Sequence, residues 1–386
     1  MVDRAALEAA AAAGVLAPEQ VAPLHDFLVA RAAPAPILAA PPGEEDLRFI
    51  RNFHDVFLAI GIVLFAAGLA VAIGTTTATL QDNQSGAMIF GAMLAAAGAV
   101  MWGLGEVFAR RRRLFLPAIA IVIAFTVFSV FAAGFLYFGA VLGREVKLEG
   151  LEGAPPVVRN GVLLAAAFFV LAPLAFYARF RLPFAMGLAG AGASLWFIVA
   201  ALFVNWEATL ANLPSLLLAM GLLLFLAGVW FDARDPARAS RFSDNGFWLH
   251  FAAAPLLLNG AFGLVGQLFG AESGAAMGRM AEGAGGAAQA AATLLVVLVL
   301  GFISLLINRR ALIVSALLTT GVAIAALMNA VGLGAGALAA STLLVLGAFV
   351  LVLGAGWHGA RRALLGWVKP EGAWARVFPP EQVPAR

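Results

Sequence analysis

Cysteine is absent from this chain. No disulfide, thiolate metal site or catalytic thiol can therefore be built from it. Charge is also scarce: 12% of residues are charged, about half the share of a soluble domain. Lysine is almost missing, since the basic residues are 22 Arg and 2 Lys. They stand in short clusters between apolar blocks, with no aromatic-interleaved basic stripe of the kind that marks a DNA or RNA surface. Nucleic acid is thus excluded as a partner despite the formal charge of +3. No GxSxG or HExxH motif and no pair of intramembrane aspartates is present, which leaves the common serine, zinc and aspartyl hydrolase chemistries without a site.

What is abundant is apolar sequence, at 63%. It falls in uncharged blocks of roughly 18 to 29 residues, and about 20 apolar residues cross a bilayer core as a helix. Barrel strands would instead alternate apolar and polar over ~10 residues. The expected fold is all-α, a polytopic bundle of about ten spans. They are read as 56–74, 86–107, 114–142, 161–178, 182–204, 213–231, 246–270, 288–307, 311–331 and 337–357. Four regions follow: a helical hairpin over 1–33, a Pro/Ala linker and juxtamembrane segment over 34–55, the transmembrane domain over 56–358, and an interfacial tail over 359–386. In the hairpin, Gly14 closes the first helix and Pro18 opens the second, with Val21, Leu24 and Leu28 on one face. Asp3 and Glu8 stand where a cleavable signal would be apolar, so none is expected.

The arginines set the topology. Ten spans leave 20 basic residues on one side and four, Arg144, Lys147, Arg159 and Arg279, on the other. The positive-inside rule makes the richer side cytoplasmic, with both termini there. Three Arg-bearing turns, 109–117, 178–185 and 308–313, resemble one another. Either a hairpin has been duplicated, or every such turn needs arginine anyway. The tail mixes Arg with Trp367 and Trp374, which suits an amphipathic segment at the interface.

Ionisable residues inside a membrane mark functional sites, and no Asp, Arg or Lys falls in the middle of any expected span. Glu106, beside the arginine cluster, is expected to be an interfacial ion-pair partner. Ala185, Ala189 and Ala193 read as a packing seam. The seventh span is the richest in polar groups, with His250, Pro255, Asn259 and Gln267, and with Gly260 and Gly263 on a narrow face. It is either a kinked packing helix or a broken helix lining a cavity. In an unbroken helix His250 and Asn259 point to opposite faces. His54, His250 and His358 share a depth near the cytoplasmic interface and are weak metal candidates. No cofactor and no firm metal site is expected.

The segment "SDNGFWLHFAAAPLLLNG" (243–260), clearest over Ser243 to Leu256, resembles a family of bacterial multi-pass inner-membrane proteins of unknown function with a short N-terminal helical region. The family pattern often has a second His where this chain has Asn259. The resemblance implies topology and a bacterial inner-membrane location, and no activity. The expected function is a non-catalytic membrane scaffold or sensor, with residues 1–31 and the tail binding protein partners. The alternative is a carrier for a small neutral or apolar solute at a broken seventh helix. An intramembrane enzyme ranks third, because no nucleophile–base pair is readable.

Overall fold

The computed structural model describes residues 4–32, 53–77, 84–141, 152–235, 241–270 and 286–309, with 356–357, 359–367 and a few isolated positions near the C-terminus. Every regular element among them is helical. The chain divides into two units, Met1–Glu44 with Gln382–Arg386, and Glu45–Glu381.

The first unit holds helix α1, Arg4–Ala12, and helix α2, Pro18–Ala32. Gly14 turns between them at φ +71°, a left-handed conformation that costs glycine little. Pro18 is the first helical residue, as its fixed φ favours. The Ala17 N–H donates to Oε1 of Gln20 at 3.2 Å, which is half of a capping box. Val21 is buried.

In the second unit α3 is Phe53–Thr77 and α4 is Gln84–Gly105, continued by a π turn over Glu106–Arg111. Next come α5, Phe115–Val141, α6, Pro156–Phe180, and α7, Pro183–Val204. A short α8, Trp206–Ala211, lies ahead of α9, Leu213–Arg234. Then follow α10, Arg241–Leu268, and α11, Gly286–Ile307. The starts of α6, α7 and α9 each carry a proline in the first turn. α8, six residues long, was not among the expected elements. Asn205 caps it by accepting the Ala208 N–H at 2.9 Å.

Seven helices, α3 to α7 with α9 and α10, are long and apolar enough to cross a membrane. They match the first seven expected spans. The eighth coincides with α11, whose described apolar stretch, Leu298–Ile307, is shorter than a span. The ninth and tenth lie outside the described residues. The outer surface is apolar too. On α3, Phe57 is 61% and Leu64 68% exposed, far more than a surface facing water leaves in one patch. Such helices are compatible with an integral membrane protein.

Two packing centres organise the unit. Around Met101, Ile121, Val122 and Phe176, helices α3 to α7 share one apolar core. Trp102, Phe125, Phe176 and Phe180 form an aromatic cluster there. The second centre is α10, which packs on α9, α7 and α11. Half of its apolar window is buried, against a third or less for the other candidate spans. α10 is therefore the most buried of them, which suits the polar groups it carries.

Candidate functional site

The three turns that looked alike share a backbone feature. Arg113, Arg181 and Asn308 are the non-glycine residues with positive φ among those described, at 53°, 54° and 54°. Each closes a helix, and the residue after it turns back to the bundle. After Arg181 comes buried Leu182, and after Asn308 comes buried Arg309. At α11 the turn is a Schellman motif: the Asn308 N–H bonds the Leu305 carbonyl at 3.3 Å, and the Arg309 N–H bonds the Ser304 carbonyl at 3.0 Å. The Ser304 hydroxyl donates to the Arg309 carbonyl and holds that turn shut.

Arg309 thereby reaches inward, where its guanidinium meets Asp232 in the last turn of α9. The contact is bidentate, Nε to Oδ2 at 2.9 Å and NH2 to Oδ1. NH2 also donates to the Ser243 carbonyl at 3.0 Å and to the Ser243 hydroxyl at 2.8 Å, in the first turn of α10. His250, about 13 Å along α10 from its start at 1.5 Å per residue, places Nε2 3.1 Å from Oδ2 of Asp232. Asp232, Ser243, His250 and Arg309 are all buried. One arginine and one carboxylate cancel in charge, so a neutral imidazole donating from Nε2 leaves the group neutral. That is the arrangement a low-dielectric setting tolerates.

Glycine makes the space. A Cβ on Gly228 of α9 would stand 2.8 Å from Cε1 of His250, and one on Gly246 of α10 would collide with Oδ1 of Asp232. The Phe225 ring covers the imidazole at 4.9 Å between centroids. Beside the group, Asn245 Nδ2 donates to the Tyr177 hydroxyl at 2.8 Å, which ties α10 to α6. Trp357, Arg361 and Phe378 pack near the end of α11. Trp357 Nε1 donates to Oδ1 of Asn308 at 3.0 Å, and buried Arg361 donates from Nε to the Leu305 carbonyl at 3.2 Å. Phe378 packs with Ala254, Ile307 and Phe225. The tail expected to lie on the interface is thus partly inserted, although Trp367 is 80% exposed.

The other expected residues have local roles. α10 runs unbroken through Pro255. Asn259 Nδ2 donates to the Pro255 carbonyl at 2.7 Å, and Gln267 Nε2 to the Ala211 carbonyl at 2.9 Å, closing α8. Gly260 and Gly263 lie against α9: a Cβ there would stand 2.5 Å from the Leu218 nitrogen and 2.6 Å from Cγ of Pro214. Glu106 is the ion-pair partner expected of it, with Arg179 at 2.6 Å and Arg110 at 3.2 Å. In the α7 seam Ala185 and Ala189 are buried, but Ala193 is exposed and Gly192 takes its place. His54 is exposed on α3, which packs on α4 and α5, and His358 lies outside the described residues. Among the described residues no group of three His, Asp or Glu side chains could hold a metal.

The arginine pattern uses Arg309 as a topology marker, and nothing in that pattern singles out Asp232. The sixth span was ended at residue 231, one short of Asp232, and Arg309 was assigned to a cytoplasmic turn. The available signal was Gly228 one turn before Asp232, with Ser243, Gly246 and His250 on the next helix. No family model, curated protein or solved structure matches this chain.

Proposed function

We propose that this protein is a ten-span bacterial inner-membrane protein with both termini in the cytoplasm, acting as a non-catalytic scaffold or sensor. On this reading Asp232, His250 and Arg309 lock the cytoplasmic ends of α9, α10 and α11. Residues 1–31 and the tail serve protein partners. The arginine asymmetry supports the orientation.

The observation that carries the reading is how α10 spends its polar groups. Asn259 and Gln267 bond backbone carbonyls of this chain, and the glycine face is filled by α9. His250 is occupied by Asp232. A solute path along α10 would need those groups turned toward a lumen.

The test is solute flux in liposomes bearing the full chain, followed by osmotic swelling with small neutral solutes such as glycerol and urea. The scaffold reading expects rates equal to those of protein-free liposomes. A saturable acceleration, abolished by crosslinking α9 to α10, would sink it.

One observation favours the carrier as a second reading. α11 meets the bundle through α10 at a short apolar contact, where Val296 and Leu300 pack on Leu258 and Phe262. Its end is pinned by the Arg309–Asp232 pair, and such a latch could open and close.

A further inference from the structure

A second charged assembly stands at the ends of α4 and α6. Arg110 to Arg113 leave the π turn, and Arg179 and Arg181 close α6; all six are exposed. Glu106 bonds Arg110 and Arg179 and so bridges the two helix ends. Below it Gly105 lies against Phe176 and Phe180, where a Cβ would be 3.1 Å from either ring. The helix ends therefore form one firm platform. Arg112 and Arg181 have no carboxylate partner among the described residues. Each is held over an aromatic face, Arg112 over Phe108 at 5.7 Å and Arg181 over Tyr177 at 5.8 Å. Among the described residues, six guanidinium groups against the one carboxylate of Glu106 leave the platform strongly positive.

An apolar strip adjoins it. Leu171 and Leu174 of α6 are exposed, and with Ala178 they follow the i, i+3, i+7 spacing of one helix face leading up to Arg179 and Arg181. Val107 of the π turn is exposed as well. A phosphate-binding patch alone needs no such strip. A headgroup with attached acyl chains needs both.

We infer that the platform of Arg112 and Arg181 binds the headgroup of an anionic phospholipid, whose acyl chains lie along Leu171 and Leu174. Guanidinium groups match phosphate oxygens in number and plane, and arginines near a membrane surface favour anionic lipid. The site is separate from the Asp232 cluster and does not depend on its role.

The test uses the full chain in bilayers of phosphatidylcholine, with spin-labelled phosphatidylglycerol or spin-labelled phosphatidylcholine as the probe. The wild-type protein should hold the anionic probe selectively. The R112Q/R181Q variant should lose about fivefold of that selectivity for each arginine removed, whereas R112K/R181K, which keeps the charge but not the planar fork, should lose less than R112Q/R181Q. R234Q, which removes an arginine stacked on Trp230 at 3.6 Å, should change nothing. Equal selectivity in R112Q/R181Q and wild type would overturn the inference. So would displacement of the lipid by inorganic phosphate at matched concentration, which would mark a site for free anions. Thermal unfolding of each variant checks folding. If R112Q/R181Q does not fold, the single variants R112Q and R181Q carry the test, each with about a fivefold loss expected.

Discussion

At the scale of single residues, the chain places its costliest group where three helices meet. Asp232 takes two bonds from Arg309 and one from His250. Removing one partner of a buried ion pair strands the other. Arg309→Met should therefore lower stability by about 3–5 kcal/mol, measured by denaturant titration of the full chain in detergent. Asp232→Leu combined with Arg309→Met should recover much of that loss, since a packed apolar pair carries no desolvation cost. If Arg309→Met alone is as stable as wild type, the pair is not buried in the working protein. Gly228 tests the same site sterically. Gly228→Ala forces a methyl group onto the imidazole and should cost about 1–3 kcal/mol. Its effect in a His250→Ala background should be smaller, because the ring that collides is gone. His250 could be seen in the sequence as a polar residue in an apolar block. Asp232 and Arg309 could not, because a charge at a span boundary looks the same whether it faces water or turns inward.

At the scale of elements, α10 is the least ordinary helix and the one the sequence describes best. Its glycine face was readable from small side chains, whereas the bond from Asn259 to the Pro255 carbonyl comes from the structure. The break at Pro255 was one of two readings, and the helix is continuous. The proline is exposed, and the helix carries it without interruption. Gly260→Ala should cost more than Asn259→Ala. The first drives a methyl group into the Leu218 backbone of α9. The second gives up one hydrogen bond of about 1 kcal/mol. Unfolding midpoints in the same detergent decide the order, and the reverse order would show that α9 and α10 do not pack so closely. The π turn and the Schellman turn were not legible, because both depend on backbone bonds that composition does not encode. The arginine turns were noticed, but nothing in their letters revealed that Arg309 folds inward while Arg179 stays out.

At the scale of the molecule, the all-helical class and the apolar surface of the described residues were legible, since long uncharged runs leave few alternatives. Arginine asymmetry, which acts on whole loops, leads to the expectation of ten spans; seven helices among the described residues are long and apolar enough to cross a membrane. The proposed topology predicts that a reporter fused at the C-terminus is active only in its cytoplasmic form. One inserted at 146 should be active only in its external form. A C-terminal reporter active outside would require an odd number of spans.

The central claim is that the inward face of α10 is sealed against water. The absence of cysteine gives a silent background for single substitutions, and Ala253, Ala254, Leu257, Leu258 and Phe262 are five of the buried apolar positions of α10. Each would be changed to cysteine and exposed to a membrane-impermeant thiol reagent from either side. The account predicts no labelling at any of the five until the protein is denatured. Rapid labelling at 254, 257 and 258 from one side would show water reaching the middle of the helix, and would replace the scaffold with a carrier.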